Sequence, residues 1–212
     1  MKRTIWTFGD SFTESFSDNT APWVQSYCEW KGYAPKVYGE IISDKMDLKL
    51  VNLGKGGSDN YSIFQTICNS AHTIKSNDII IVGWSSVARF RLVSIYDMWK
   101  PIIPVYARNG ANLANISQIT IDEIMVNRTH SLYFEEVRSW QKLLNFTFSK
   151  NTIIHWSPFS GEHSPNYFRN LTTIRRETNN DIDDGHYSEL GHIELSDALM
   201  SMISQNRTQR LI

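Results

Sequence analysis

Apolar residues gather along the chain in four short runs, at residues 5–8, 48–53, 79–82 and 152–156. Each is rich in β-branched or aromatic side chains and mainly apolar on successive positions, the pattern of a strand covered on both faces in a parallel sheet. Between and after these runs the period changes. Ile63, Ile67, Ala71 and Ile74 share one helical face, and Tyr133, Val137, Trp140, Leu144 and Phe148 share another. A third stripe is made by Leu195, Ala198, Leu199, Met202 and Ile203, with Ser188 upstream as its expected N-cap. A further helix is expected from Pro22-Trp23 toward Lys31, because proline suits a first helical turn. Strands alternating with helices predict the α/β class, an open and mostly parallel sheet joined by right-handed crossovers.

Two segments break that rhythm, at about 87–127 and 157–182. Long insertions at strand ends carry substrate contacts or lids. The 212 residues suit one domain spanning 1–212, and 41% hydrophobic with 12% aromatic residues suffices for a core. Charge nearly cancels, 21 Lys+Arg against 22 Asp+Glu, which speaks against a nucleic-acid partner. Cys28 and Cys68 are too few for a disulfide scaffold and lack metal-site spacing. No apolar run nears the roughly 18 residues that cross a bilayer, and residues 1–10 lack the make-up of a signal peptide. No membrane partner and a cytoplasmic location are therefore expected.

In an open parallel sheet, ligands bind beyond the carboxyl ends of the strands. After the first strand comes Gly9-Asp10-Ser11-Phe12-Thr13, where a serine at a strand-to-helix turn can present its hydroxyl, or where Asp10 and Ser11 merely cap the turn. After the second comes Asn52-Leu53-Gly54-Lys55-Gly56-Gly57-Ser58. Its glycines can aim N–H groups at a negative oxygen, and the spacing of a phosphate loop is absent. Near the C-terminus Asp181-Ile182-Asp183-Asp184-Gly185-His186 leads into the last helix. An Asp three residues before a His can accept from Nδ1–H and leave Nε2 to take a proton. Asp184 takes that part instead if the turn slips by one residue.

The order of these blocks resembles the SGNH or GDSL hydrolase family. The resemblance runs through the motifs from Gly9 to His192 and leaves out the two insertions. It implies a flavodoxin-like three-layer α/β/α sandwich, with Ser11 as nucleophile, Gly57 as oxyanion glycine, Asp183 as triad acid and His186 as base. It calls for no metal and no organic cofactor. One block departs: Gly83-Trp84-Ser85-Ser86 stands where the family has Gly-x-Asn-Asp, so Ser85 occupies the place of an oxyanion-hole asparagine. A serine hydroxyl donates one hydrogen bond from a shorter reach, so Ser85 is expected to be a weaker third donor or a turn residue only. The same run is similar to that of phage and bacterial relatives, which adds association with a virus as a second setting.

The expected function is hydrolysis of carboxylic esters with small acyl groups, O-acetyl groups on carbohydrate among them, through an acyl-enzyme on Ser11. The alternative is a non-catalytic binding or structural module that keeps the fold. The expected partner is a small ester or acylated carbohydrate. Asp10, Trp84, Ser86 and Arg89 are candidate substrate contacts, Arg89 and Arg91 as clamps for an anionic or sugar group. Trp84, Trp99 and Trp156 either line a pocket or pack in the core. His155 is expected to pack within a strand, His192 to belong to the last helix, and His163 to be a solvated loop residue.

Overall fold

The computed structural model describes residues 2–86, 89–91, 104–106, 130–159 and 164–209. Trp99, His163 and most of the 87–127 insertion lie outside these. The elements run β1 (Thr4–Gly9), α1 (Pro22–Lys31), α2 (Tyr38–Met46), β2 (Lys49–Gly54), α3 (Asn60–Ser70), β3 (Ile79–Gly83), β4 (Arg89–Arg91) and β5 (Pro104–Tyr106). They continue with α4 (His130–Thr147), β6 (Thr152–Trp156), α5 (Ile174–Glu177) and α6 (Glu189–Gln209).

The four apolar runs become one parallel sheet in the order β2-β1-β3-β6. Strand β3 is buried at every position because both its faces are covered, whereas edge strand β2 is only partly covered. Successive β3 side chains part to opposite faces. Ile79 and Ile81 pack with Tyr38, Ile42, Leu195 and Leu199 from α2 and α6. Ile80 and Val82 pack with Ile63, Ile67, Val137 and Leu144 from α3 and α4. The result is the expected α/β/α sandwich. Truncating Ile80 or Ile81 to Ala would cost about 2–5 kcal/mol, since each fills a closed layer.

Helices α2 and α5 and strands β4 and β5 carry no sequence forecast. Helix α2 is short and its apolar positions are few, so periodicity is weak. It closes instead through Glu40, whose carboxylate accepts the Val37 N–H at 2.8 Å. The antiparallel pair β4–β5 arises inside the first insertion. Ser188 does cap α6, accepting from the Gly191 N–H at 3.3 Å.

Register aligns the carboxyl ends of the strands. Gly9 pairs with Gly54, Phe8 with Val82, and Gly83 with Trp156. The chain segments after β1 and β2 meet closely here. A Cβ on Gly54 would stand 2.6 Å from the backbone N of Glu14, a distance no side chain tolerates. No helix among the described residues is long and apolar enough to cross a membrane.

Candidate active site

The turn after β1 closes when Thr13 N–H and Glu14 N–H both donate to the Asp10 carbonyl, at 2.9 and 3.0 Å. Ser11 is thereby left at the carboxyl rim of the sheet. Its Oγ lies 2.8 Å from Nε2 of His186, across 175 residues of sequence. The other ring nitrogen, Nδ1, is 2.7 Å from Oδ1 of Asp184. An ionised carboxylate only accepts, so Nδ1 carries the proton and Nε2 accepts from the Ser11 hydroxyl. Burial raises the Asp184 carboxyl, but the His186 ring and backbone N–H and the Arg175 charge outweigh it, so the group sits below the ordinary carboxylate range.

The carboxylate partner is therefore Asp184 and not Asp183. Asp184 Oδ1 also accepts the His186 backbone N–H at 2.8 Å, an Asx turn in which a carboxylate reaches two residues ahead. That turn carries the carboxylate to the ring. Asp183, one residue earlier, is 78% exposed and pairs with Arg175 on the surface.

His186 is gripped on both faces. Trp23, at the start of α1, stacks on it with centroids 4.0 Å apart and planes 5° from parallel. Phe12 leans on it at 4.7 Å. Neither contact has a sequence signal, because Trp23 looks like any aromatic residue in a helix's first turn.

A cavity of about 420 Å³ opens over the pair, lined by Ser11, Trp23, Lys55, Gly56, Gly57, Arg89 and His186 together with Glu14 and Asp18. Gly57, on the cavity wall, holds φ 77°, a left-handed conformation that L side chains rarely adopt. Glu14 accepts the Gly56 N–H at 3.0 Å. Burial, with the nearby Asp18 and Asp10 charges, holds its carboxyl above the usual range against that bond and Lys55.

Four of the expected site residues take other places. Ser85 is fully buried and off the cavity wall. Its hydroxyl donates to Asp10 Oδ2 at 2.7 Å, and Asn60 clamps its backbone through both N–H and carbonyl. It is not a third oxyanion donor, because the short side chain is spent on Asp10. Trp84 is fully buried under α4, and its Nε1–H donates to His155 Nδ1 at 3.2 Å. It packs in the core as large aromatics do. Ser86 is half-buried, off the cavity wall, and its carbonyl accepts the Arg89 N–H at 3.1 Å.

Asp10 does not face the cavity either. It is buried, and its carboxylate accepts from Phe12 N–H, the Ser85 hydroxyl and Arg89 Nη1 at 3.1, 2.7 and 2.8 Å. Of the four candidate substrate contacts, Asp10, Trp84, Ser86 and Arg89, only Arg89 lines the cavity. Trp156 is fully buried. His155 is buried, donates Nε2–H toward Asn145 and is lowered to about 4 by burial. His192 is lowered to about 3 by burial, with the His186 charge adding to it. Both histidines are neutral packing residues. Among the described residues no three or more His, Cys, Asp or Glu side chains are grouped to hold a metal ion.

Comparison with known proteins agrees with this architecture. The chain shares its fold with a carbohydrate esterase whose active site displays divergent catalytic and non-catalytic binding functions, at TM-score 0.51 and 13% identity over 96% of this chain and 68% of that one. Weaker likenesses are to a lipolytic protein of the G-D-S-L family from Desulfitobacterium hafniense (TM-score 0.39, 11% identity, 94% and 98% covered) and one from Veillonella parvula (0.36, 16%, 97% and 74%). The likeness to the carbohydrate esterase is one of fold. No protein-family model and no curated protein matches the sequence.

Proposed function

We propose that the protein is a serine esterase acting on carboxylic esters with small acyl groups. The observation that carries the reading is the relay from Ser11 through His186 to Asp184, at 2.8 and 2.7 Å, with Ser11 and His186 on the cavity wall. Ser11 Oγ attacks the ester carbonyl carbon while its proton passes to Nε2 of His186. Asp184 keeps the proton on Nδ1 and steadies the imidazolium that forms. The oxyanion is met by the N–H groups of Ser11 and Gly57. His186 then protonates the departing alcohol oxygen, leaving the acyl group on Ser11. A water molecule gives its proton to His186, attacks that acyl group and releases the acid. Ser11 recovers its proton.

A carbohydrate is the favoured alcohol. Trp23 offers an aromatic surface beside polar walls from Glu14, Asp18, Asn19 and Lys55, a mixture suited to a sugar's apolar faces and hydroxyl edges. The test is hydrolysis of 4-nitrophenyl acetate and of acetylated sugars by the protein and by Ser11→Ala. Activity lost by roughly four to six orders of magnitude in the variant is expected. Equal background in both would leave the alternative, a binding module on the same scaffold. The commitment of Ser85 to Asp10, away from the cavity, is the one feature that favours that alternative.

A further inference from the structure

We propose that Arg89 supplies the third oxyanion donor, a part that Ser85 does not play; the inference rests on the esterase reading of the same site. The guanidinium is held between the neighbours of both backbone donors. Its Nη1 donates to Asp10, which precedes Ser11, at 2.8 Å, and to the carbonyl of Ser58, which follows Gly57, at 3.4 Å. Strand β4 delivers it there, with the Arg89 backbone fastened by its N–H to Ser86 and by its carbonyl to the Tyr133 hydroxyl.

The ion pair has a direction. Asp10 is 2% exposed and off the cavity wall, while Arg89, 7% exposed, is on it. The positive end therefore borders the cavity that Ser11, Gly57 and His186 also line, and the negative end lies off it. Asp10 is further satisfied by the Ser85 hydroxyl and the Phe12 N–H, which fixes the carboxylate and through it the guanidinium. Preorganised donors of this kind act in a partly dry site and need no rearrangement during reaction. A guanidinium presents its N–H groups in a rigid, planar fork, so that fixing Nη1 on Asp10 and Ser58 fixes the orientation of the whole group. Ser85 is then a positioning residue that acts through Asp10, and Arg89 is the group that touches the substrate.

The experiment is steady-state hydrolysis of 4-nitrophenyl acetate, with the rate of Ser11 labelling by a fluorophosphonate as a second readout. The phosphoryl oxygen of that adduct takes the oxyanion's place. Arg89→Met is expected to lower kcat about a hundredfold to a thousandfold, with KM changed less than about threefold and labelling slowed in parallel. Because Arg89→Met leaves a buried carboxylate without its counter-ion, the double variant Asp10→Asn/Arg89→Gln is measured beside it. It buries no lone charge and is expected to show the same loss of kcat at a preserved melting temperature. Millimolar guanidinium is expected to restore part of the kcat of Arg89→Ala. Wild-type kcat in the folded double variant, or a rise in KM alone, would overturn the role of Arg89 and leave the esterase reading standing. A wild-type protein that neither hydrolyses the ester nor takes the label at Ser11 would overturn both.

Discussion

On one flank of Ser11, the imidazole and its carboxylate partner are two residues apart in sequence and partly open to solvent, His186 at 21% and Asp184 at 17% exposure. On the other, Asp10, Ser85 and Arg89 come from the ends of three strands and are buried together. The first flank is a local device. An Asx turn sets the carboxylate, a helix start supplies Trp23 as a lid on the ring, and little else is needed. The second is a tertiary device whose parts meet only when β1, β3 and β4 are in place. A local device tolerates a shift of one residue, as the use of Asp184 illustrates. A tertiary device reassigns roles altogether, as the inward turn of Ser85 illustrates.

That contrast can be broken most sharply at the acid. Asp184→Asn is expected to lower kcat by about three to four orders of magnitude while the fold persists, because an amide favours the wrong imidazole tautomer. Asp183→Asn is expected to change kcat less than about twofold, since that carboxylate faces solvent and Arg175. Reversed effects in steady-state kinetics would return the role to Asp183.

The next effect is on stability. His155 and His192 are held neutral by burial, near 4 and 3, whereas both titrate near 6.5 once unfolded. Between pH 6.5 and 4 the unfolded chain thus binds more protons than the native one, and stability falls as pH falls. The lowered Asp184 carboxyl acts in the same direction, its contribution present above the ordinary carboxylate range and lost as pH drops through its native value. Urea denaturation is expected to lose on the order of a few kcal/mol from pH 7 to 4, with a shallower slope in His155→Gln. A flat profile would remove the histidines from the account.

The smallest effect is expected at Ser85. Ser85→Ala removes one of three donors to Asp10 and is expected to cost about 1–3 kcal/mol of stability. Its kcat is expected to move less than about tenfold, because Arg89 and the Phe12 N–H still hold the carboxylate. A hundredfold loss of kcat with unchanged stability would put the Ser85 hydroxyl back at the substrate.

The fold was largely legible beforehand because unbroken β-branched runs suit few environments other than a covered parallel sheet. Helix α2 was not, since Tyr38, Ile42 and Met46 give too short a stripe, and its closure by Glu40 is a side-chain matter. At the site, Ser11 and His186 were readable because strand ends in such sheets face the ligand. Trp84 misled for the same reason: it follows a strand, yet its bulk is drawn under α4 and toward His155.

By itself the sequence determined which segments become the four strands of the parallel sheet, which turns stand at their carboxyl ends, and hence that a hydroxyl and an imidazole share one rim. Those outcomes follow from period and local turn chemistry, which act over a few residues. The tertiary structure alone decided which of two adjacent carboxylates meets the ring, and that the Ser85 hydroxyl turns inward while the Arg89 guanidinium faces the cavity. Such choices depend on whether a buried charge finds its partners, and those partners stand as much as 79 residues apart until the chain folds.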